Sequence, residues 1–469
     1  NIALNGNRVR GYLIDLDFDY FDIKFLSGIT KSAIDGDPST SMYISEIIDP
    51  TEDLPGKLVV NRKNYSFLRD INALQFNIGN NNKFNSSLYF VKSKDNLFSV
   101  KTIIPNALID IPESILSSEV LNSLNETNND YYKFNFQTLF DNQEQILDNY
   151  NIEVLDQNWA GEAPQDNIVL GFNFNSFLDD KRIHLKYGWS FSMLNTNIWE
   201  SINSSAELDT LGTDTLIDGK FMNLVSIPDN LDLSSFNNIF QLGINQTPIS
   251  PFDISSGEIG INEIFNMPSV ASNFSSSFNY GSHLVSYEYT KVGPHYKSLT
   301  NQNIETNFTK SSLSDRFRLM NNKLFIFYEL YNKKNGLELD AKNIINTIGN
   351  KFSFSYYPGP MFPSVSFGLS TSNRYNEIDY LYVSEDNDTT DSRLDIKYNS
   401  YNISISDDYD IIGKQTILLN LFVSEVKDVL ENDKIRYNQF YFSPRSYLKN
   451  LSFSVFTTLN KYWESNTSY

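Results

Sequence analysis

Residues Lys181–Met193 read KRIHLKYGWSFSM. Ile183, Leu185, Tyr187, Trp189, Phe191 and Met193 alternate there with His184, Lys186, Gly188, Ser190 and Ser192. A β-strand sends successive side chains to opposite faces, so this segment is a ribbon apolar on one side and polar on the other. A row of large apolar groups needs an apolar medium to face. In a soluble sandwich that medium is a second sheet; in an outer membrane it is lipid, and the polar side then lines the interior of a closed barrel.

The preceding residues form the partner strand. With Asp179–Arg182 as the turn, Leu178 falls opposite Ile183, Ser176 opposite Leu185, Phe174 opposite Tyr187 and Phe172 opposite Trp189. All four pairs lie on one face, as register requires. Similar alternation recurs at Val9–Gly28, Ile71–Asn80 and Phe84–Lys94, then densely from Ser269 to the end, including Leu284–Val292, Leu313–Met320, Lys323–Tyr331, Ser392–Tyr398, Asn402–Ser406 and Thr416–Ser424. Connections alternate between short (Asn321–Asn322, Pro358–Pro363) and long (Gly293–Ser312, Asn332–Asn350, Ser372–Asp391). That asymmetry fits the two rims of a membrane barrel better than Greek-key crossovers do.

Composition narrows the classes. The chain has 469 residues, 14% aromatic, with 35 Phe and 28 Tyr, but only 40% hydrophobic overall. Aromatics suit a pleated, half-buried surface. No apolar run approaches the roughly 20 residues of a membrane helix; Ile417–Val423 (ILLNLFV) is the nearest. The net charge of −20 argues against nucleic acid as a partner. Cysteine is absent, which excludes disulfides and thiolate sites. The chain begins at Asn1 with neither a Met nor a charged-then-apolar leader, so any signal peptide has been taken off or left out, and export has to be inferred by other means.

The reading is therefore all-β: a single large closed antiparallel transmembrane barrel over residues 1–469, with roughly 16–20 strands. Two irregular stretches, 101–166 and 200–268, are expected to fold into or over the lumen. Short helix signals occur within them at Ile111–Val120, Gln143–Asn149 and Ser234–Phe240, and a strand at Tyr131–Phe136. Lys31–Pro55 reads as a polar excursion. The alternative is a secreted, soluble multi-domain β-sandwich that binds carbohydrate.

Three segments, Leu4–Gly11 (LNGNRVRG), Val285–Thr300 (VSYEYTKVGPHYKSLT) and Asp315–Phe327 (DRFRLMNNKLFIF), resemble uncharacterised outer-membrane β-barrel proteins of Bacteroidetes-like Gram-negative bacteria. Tyr357–Gly359 is similar to a turn found in the same group. The resemblance covers the C-terminal two thirds and the first thirty residues. It implies an outer-membrane location, contact with lipid and lipopolysaccharide, and further chain ahead of Leu4. Other cell-envelope proteins are candidate partners. On activity it is nearly silent.

Assigning faces puts Leu185, Tyr187, Trp189, Phe191, Tyr287, Tyr289, Phe317 and Ile326 toward lipid. Arg316, Arg318, Glu329, Glu288, Asp15 and Asp17 then face the lumen. Opposed charges there could set ion selectivity. The plainer reading is a network bracing the interior, or a solvated face for Asp15 and Asp17. Trp189, Trp199 and Trp463 are candidates for aromatic girdles. The acidic stretches Glu385–Asp391 and Asp407–Asp410 offer oxygens of the kind Ca²⁺ takes, without EF-hand spacing; ordinary turn chemistry is the default, and no resident cofactor or metal is expected. No catalytic motif is present, and His184, His283 and His295 are scattered. Enzymatic activity is not expected, although His295 lies near Tyr296 and Ser298. Function is read as porin-like passage of small polar solutes, or a surface-exposed structural or binding role.

Overall fold

A computed structural model describes residues 8–36, 42–51, 54–80, 83–124, 130–202, 216–217, 220–221, 225–226, 234–243, 245–247, 265, 267–301, 303–337, 344–359, 362–378, 382–383, 389–410, 414–448, 453–456 and 459–468. The period-two segments form one 17-stranded sheet. Its strands are β1 (Arg10–Asp17), β2 (Phe21–Lys31), β3 (Leu68–Asn80), β4 (Phe84–Asn96), β5 (Asp166–Leu178), β6 (Ile183–Asn195), β7 (Val270–Tyr280), β8 (His283–Val292) and β9 (Phe308–Leu319). They continue as β10 (Leu324–Asn335), β11 (Ile345–Tyr356), β12 (Ser364–Asn376), β13 (Asp395–Asp410), β14 (Lys414–Asp428), β15 (Asp433–Leu448), β16 (Phe453–Phe456) and β17 (Leu459–Ser468).

From β1 to β15 each strand pairs antiparallel with the next, and β16 and β17 both pair with β15. The β5–β6 register is the expected one, with Leu178 opposite Ile183 and Phe172 opposite Trp189. β13 is continuous where the sequence suggested two strands. Its polar residues Asn399 and Ser400 pair with Glu425 and Ser424 of β14, which keeps the ladder going where side-chain hydrophobicity lapses. The acidic stretch Asp407–Asp410 is therefore strand, and Asp408 meets Lys414 at 3.5 Å.

All the short connections after odd-numbered strands lie at one end of the sheet. Asn321 and Asn322, in one of them, hold φ of 54° and 65°, a region Asn tolerates better than most residues. The long connections 32–67, 97–165, 196–269, 293–307 and 377–394 lie at the other end. Two of these fold together. Strands Tyr43–Ile48 and Gly56–Arg62 pair antiparallel, and Gly56–Arg62 pairs parallel with Tyr150–Val154. Leu108–Pro112 pairs with Tyr131–Asn135. Short helices at Ser118–Ser123, Phe136–Asp141 and Gln143–Ile146 close over a core that includes Met42, Leu58, Ile109, Ile111, Phe136 and Leu139. The excursion at Lys31–Pro55 thus contributes a strand and core residues to the 101–166 region. Arg62 is buried at the seam and donates to the carbonyls of Asp35, Met42, Lys63 and Lys101, tying the two excursions to each other.

Register fixes which residues share a face of the large sheet. One face carries Gly, Ser, Asn and charged residues: Lys24, Asn77, Ser87, Asn173, Gly188, Asn273, Glu288, Ser312, Glu329, Lys351, Ser370, Ser400 and Ser424. The opposite face is apolar from the short-turn end inward, then turns polar toward the long loops. On β10 it runs Leu324, Ile326, Tyr328, Leu330, then Asn332 and Lys334; on β14 it runs Ile417, Leu419, Leu421, Val423, then Glu425 and Lys427. At ~3.3 Å per residue the apolar band is roughly 20 Å long from Leu324 to Leu330 and roughly 26 Å from Ile183 to Phe191. Much of it is bare: Leu88 is 62% exposed, Leu74 46% and Leu330 44%.

Glycine has a specific use on the polar face. Gly349 lies under the ring of Tyr331, which an added Cβ would approach to 2.5 Å. Gly349→Val is expected to force the ring off its seat at about 1–3 kcal/mol, read as a lower urea midpoint in detergent micelles with unchanged m-value.

Candidate functional site

The long-loop half of the polar face is filled by a loop. Residues 293–301 leave β8, turn inward and lie against the strands, and 303–304 continue along them. Tyr296 is fully buried in a cluster with Ile71, Ala73, Tyr89, Val91, Val169, Ala271, Val292 and Phe308. Those partners come from six of the seven successive strands β3 to β9, and β6 adds the Ser190 hydroxyl. Only a sheet curled around the loop can bring them together, so the polar face is the concave one.

The loop is fixed by hydrogen bonds as well as by packing. Gly293 N–H donates to the Val270 carbonyl at 2.8 Å, and an added Cβ there would meet the Pro268 carbonyl oxygen at 2.1 Å. The Ser190 and Tyr296 hydroxyls are 2.8 Å apart. Asn167 grips the loop from both ends of its amide: Nδ2 donates to the Lys297 carbonyl at 3.3 Å and Oδ1 accepts from Leu299 N–H at 3.1 Å. Ser192 Oγ also donates to the Lys297 carbonyl. Such a network holds a single loop position, because releasing any member leaves a buried polar group unpaired.

This layer divides the concave side. Toward the long loops lies a cavity of about 700 Å³, bounded by Lys31, Arg69, Glu162, Gln165, Lys297 and Asn301 among others. Arg69 is buried there and grips Asp95 with both ends of its guanidinium, Nε to Oδ1 at 2.7 Å and NH2 to Oδ2 at 2.8 Å. Gln165 joins them through Oε1, 3.1 Å from Arg69, and through its N–H, 3.0 Å from Asp95. At the cavity mouth Lys31 meets Glu162 at 3.0 Å, and this contact holds the Glu162 carboxyl below its ordinary pKa. Toward the short turns lies a second cavity, of about 670 Å³.

The register places the predicted charged residues on the concave face without gathering them into one constellation. Asp15 pairs with Lys24 at 2.9 Å, and Asp17 lies opposite Asp22. Arg316 lies over the ring of Phe327, 5.7 Å from its centroid, and Arg318 is opposite Phe325. Glu329 turns to Lys351 on β11 at 2.9 Å, away from both arginines. Glu288 lies between Ser275 and Ser312. The sequence did not reveal Lys24 and Lys351 as partners, because cross-strand neighbours follow from register and not from spacing along the chain.

Leu185, Tyr187, Trp189, Phe191, Tyr287, Tyr289, Phe317 and Ile326 all fall on the opposite, convex face. That face also carries an ionisable pair near the short turns, His283 Nδ1 to Asp315 Oδ2 at 2.8 Å. At its long-loop border residues 234–243 and 245–247 cross β4 to β6, where Gln241 N–H donates to Asp166 at 3.0 Å and Lys94 Nζ to the Asn237 carbonyl at 3.4 Å.

Trp199 departs from the girdle reading. It packs edge-on against Phe67 and beside Trp159, in a cluster at the long-loop end. The sequence around it gave a Trp without saying which aromatic neighbours a folded loop would supply. Tyr65 completes that cluster, its ring 5.1 Å from that of Trp159, and burial pushes its phenol up to about 12. Raised above its unfolded value near 10, the phenol stabilises the fold fully below about pH 10 and loses that contribution as pH rises toward 12. Tryptophan emission should therefore shift between pH 10 and 12, and Tyr65→Phe should remove that step.

Of the acidic stretch Glu385–Asp391, residues 385–388 lie outside the described residues. Asp391 accepts from Arg393 at 2.8 Å, which lowers its carboxyl to about 2. His295 belongs to the inward loop, and its N–H donates to the Pro268 carbonyl. The loop's inward fold was the main feature missed. Its signal in the sequence was the Gly293–Pro294 pair followed by Tyr296 and Leu299 within an otherwise polar connection.

No family model and no curated protein matches this chain. Solved structures do align with it along most of its length. A loop L8 deletion mutant of OmpT, an outer membrane protein of Vibrio cholerae, aligns at 9% identity over 95% of each chain with a TM-score of 0.30. OccAB4 of Acinetobacter baumannii aligns at 9% identity over 95% of each chain with a TM-score of 0.28, and OccAB3 of the same organism at 8% over 87% of each with a TM-score of 0.30. The structures that this chain is similar to are outer-membrane β-barrel proteins of Gram-negative bacteria, superposing loosely.

Proposed function

We propose that this chain is an outer-membrane barrel of a Gram-negative bacterium that gives small polar solutes a path along its concave face. The observation that carries the proposal is the apolar band on the short-turn half of the convex face, kept in register from strand to strand over a concave face rich in small and polar side chains. A soluble protein would cover a band of this size with a second layer; lipid and lipopolysaccharide cover it here.

Strand direction permits closure. β1 runs toward the short-turn end and β17 runs away from it, so the two edges are antiparallel to each other. Because β16 and β17 follow one another along β15, the strand positions are even in number, as an up-and-down barrel needs. Joining the edges satisfies backbone groups that neither lipid nor a bare edge can.

The solute path lies beside the filled half. Around β11 to β13 the concave face carries Gly349, Ser353, Gly368, Ser370, Ser400 and Ser404, small side chains that leave room. Purified protein reconstituted in planar bilayers should give discrete conductance steps, and cell fractions should release it only into detergent. Monodispersity without detergent overturns the reading. Asn167→Ala removes the grip on the inward loop and should raise single-channel conductance.

A second reading, a binding or structural barrel without an open path, draws on the tight packing around Tyr296. It predicts no steps from the wild type and steps from Asn167→Ala. Neither reading assigns the chain a catalytic step.

A further inference from the structure

The short-turn cavity has a chemical character of its own. Side-chain amides from adjacent strands converge on it: Gln75, Asn77, Asn85, Asn173, Asn175 and Asn273. Each amide offers donors and an acceptor in one plane, the arrangement that matches neighbouring hydroxyls on a sugar ring. Gln75 Nε2 donates to Asn77 Oδ1 at 2.6 Å, and Asn77 donates in turn to Asp22, so part of the set is oriented in advance. Asn175 and Asn273 make no side-chain hydrogen bond to the described residues, which leaves their amides for a ligand.

An aromatic surface stands at the rim. The Phe177 and His184 rings stack at 4.3 Å with 15° between planes, on the concave face. Stacked rings give an apolar platform for the C–H face of a pyranose. Beyond Ser87 and Gly188 the next concave side chains toward the long loops are Tyr89 and Ser190, and the Ser190 hydroxyl meets that of Tyr296, so the inward loop stands between this cavity and the long-loop end. Charge is nearly balanced at the wall. Lys24 is engaged by Asp15, and Asp22 accepts from Asn77, leaving Lys186 as the cation nearest the cavity.

We propose that this cavity is a binding site for uncharged oligosaccharides on the concave wall. Its volume of about 670 Å³ lies in the range of small-molecule sites. The proposal deepens the solute-passage reading by naming the solute class.

The test is saturation-transfer NMR on the full chain in detergent micelles, titrated with maltotriose and, separately, with digalacturonate. Saturable transfer to maltotriose is expected, with weaker transfer to digalacturonate. Asn175→Leu combined with Asn273→Leu should weaken maltotriose binding by about tenfold or more, as loss of sugar hydrogen bonds requires. Phe177→Ala should weaken it independently, and this variant keeps the test valid should the double variant fail to fold. No saturable transfer from folded wild type, unchanged binding in the folded variants, or preference for digalacturonate overturns the proposal. Conductance separates this outcome from the parent reading: steps without maltotriose binding leave the barrel standing, while binding without steps removes only the passage.

Discussion

Asp95→Ala should destabilise the protein by about 3–5 kcal/mol, because it leaves the Arg69 guanidinium buried with its main partner gone. Arg69 and Asp95 are 5% and 4% exposed, so water cannot replace the lost carboxylate. The same change also removes the acceptor for Gln165 N–H, loosening the chain where it enters β5. Urea unfolding in micelles reads the effect. The double variant Arg69→Met with Asp95→Leu should recover most of the loss, since removing both charges removes the desolvation penalty along with the pair. A small effect of Asp95→Ala alone would mean that the site is wet and the sheet less tightly curled than its register indicates.

Leu88→Arg carries the second large effect and discriminates between media. Leu88 lies on the convex face opposite Phe172 and Phe76, in the middle of the apolar band, and is 62% exposed. On a soluble protein so exposed a position tolerates Arg within about ±0.5 kcal/mol. In a bilayer the same change near the midplane costs about 2–4 kcal/mol. Folding into lipid vesicles, followed by urea titration, should show the larger value. Lys334→Arg, on the exposed polar end of the same face on β10, serves as the control and should change little.

Much of the sheet could be read from the chain because its cause is local. A pleat turns alternate residues to opposite faces, so Ile183 to Met193 announce their own conformation and their own sidedness. Polar turn residues such as Asn321 and Asn322 mark where the ladder reverses. Short helical turns at Gln143–Ile146 and Ser234–Asn238 were likewise foreshadowed by their immediate neighbours, whereas the helix expected over Ile111–Val120 begins only at Ser118, because Leu108–Pro112 pairs as a strand with Tyr131–Asn135. The continuity of β13 was hidden, because Asn399 and Ser400 break the apolar alternation while their backbone still pairs.

The site was far less legible. Glu329 was visible as a charge on the polar face, but its partner Lys351 is set by where β10 and β11 align. Tyr296 was visible as an aromatic in a loop; that it fills the concave side depends on Gly293 admitting a sharp approach and on Asn167, distant in sequence, holding Lys297 and Leu299.

Alternation alone determined that this protein is a ribbon of strands with one greasy and one polar side, since pleating acts between adjacent residues. The tertiary structure alone decided which polar groups meet, which excursions share a core, and that a loop occupies the inside. Those outcomes depend on register and docking between residues far apart in the chain, and burial free energy settles them only once the sheet has curved.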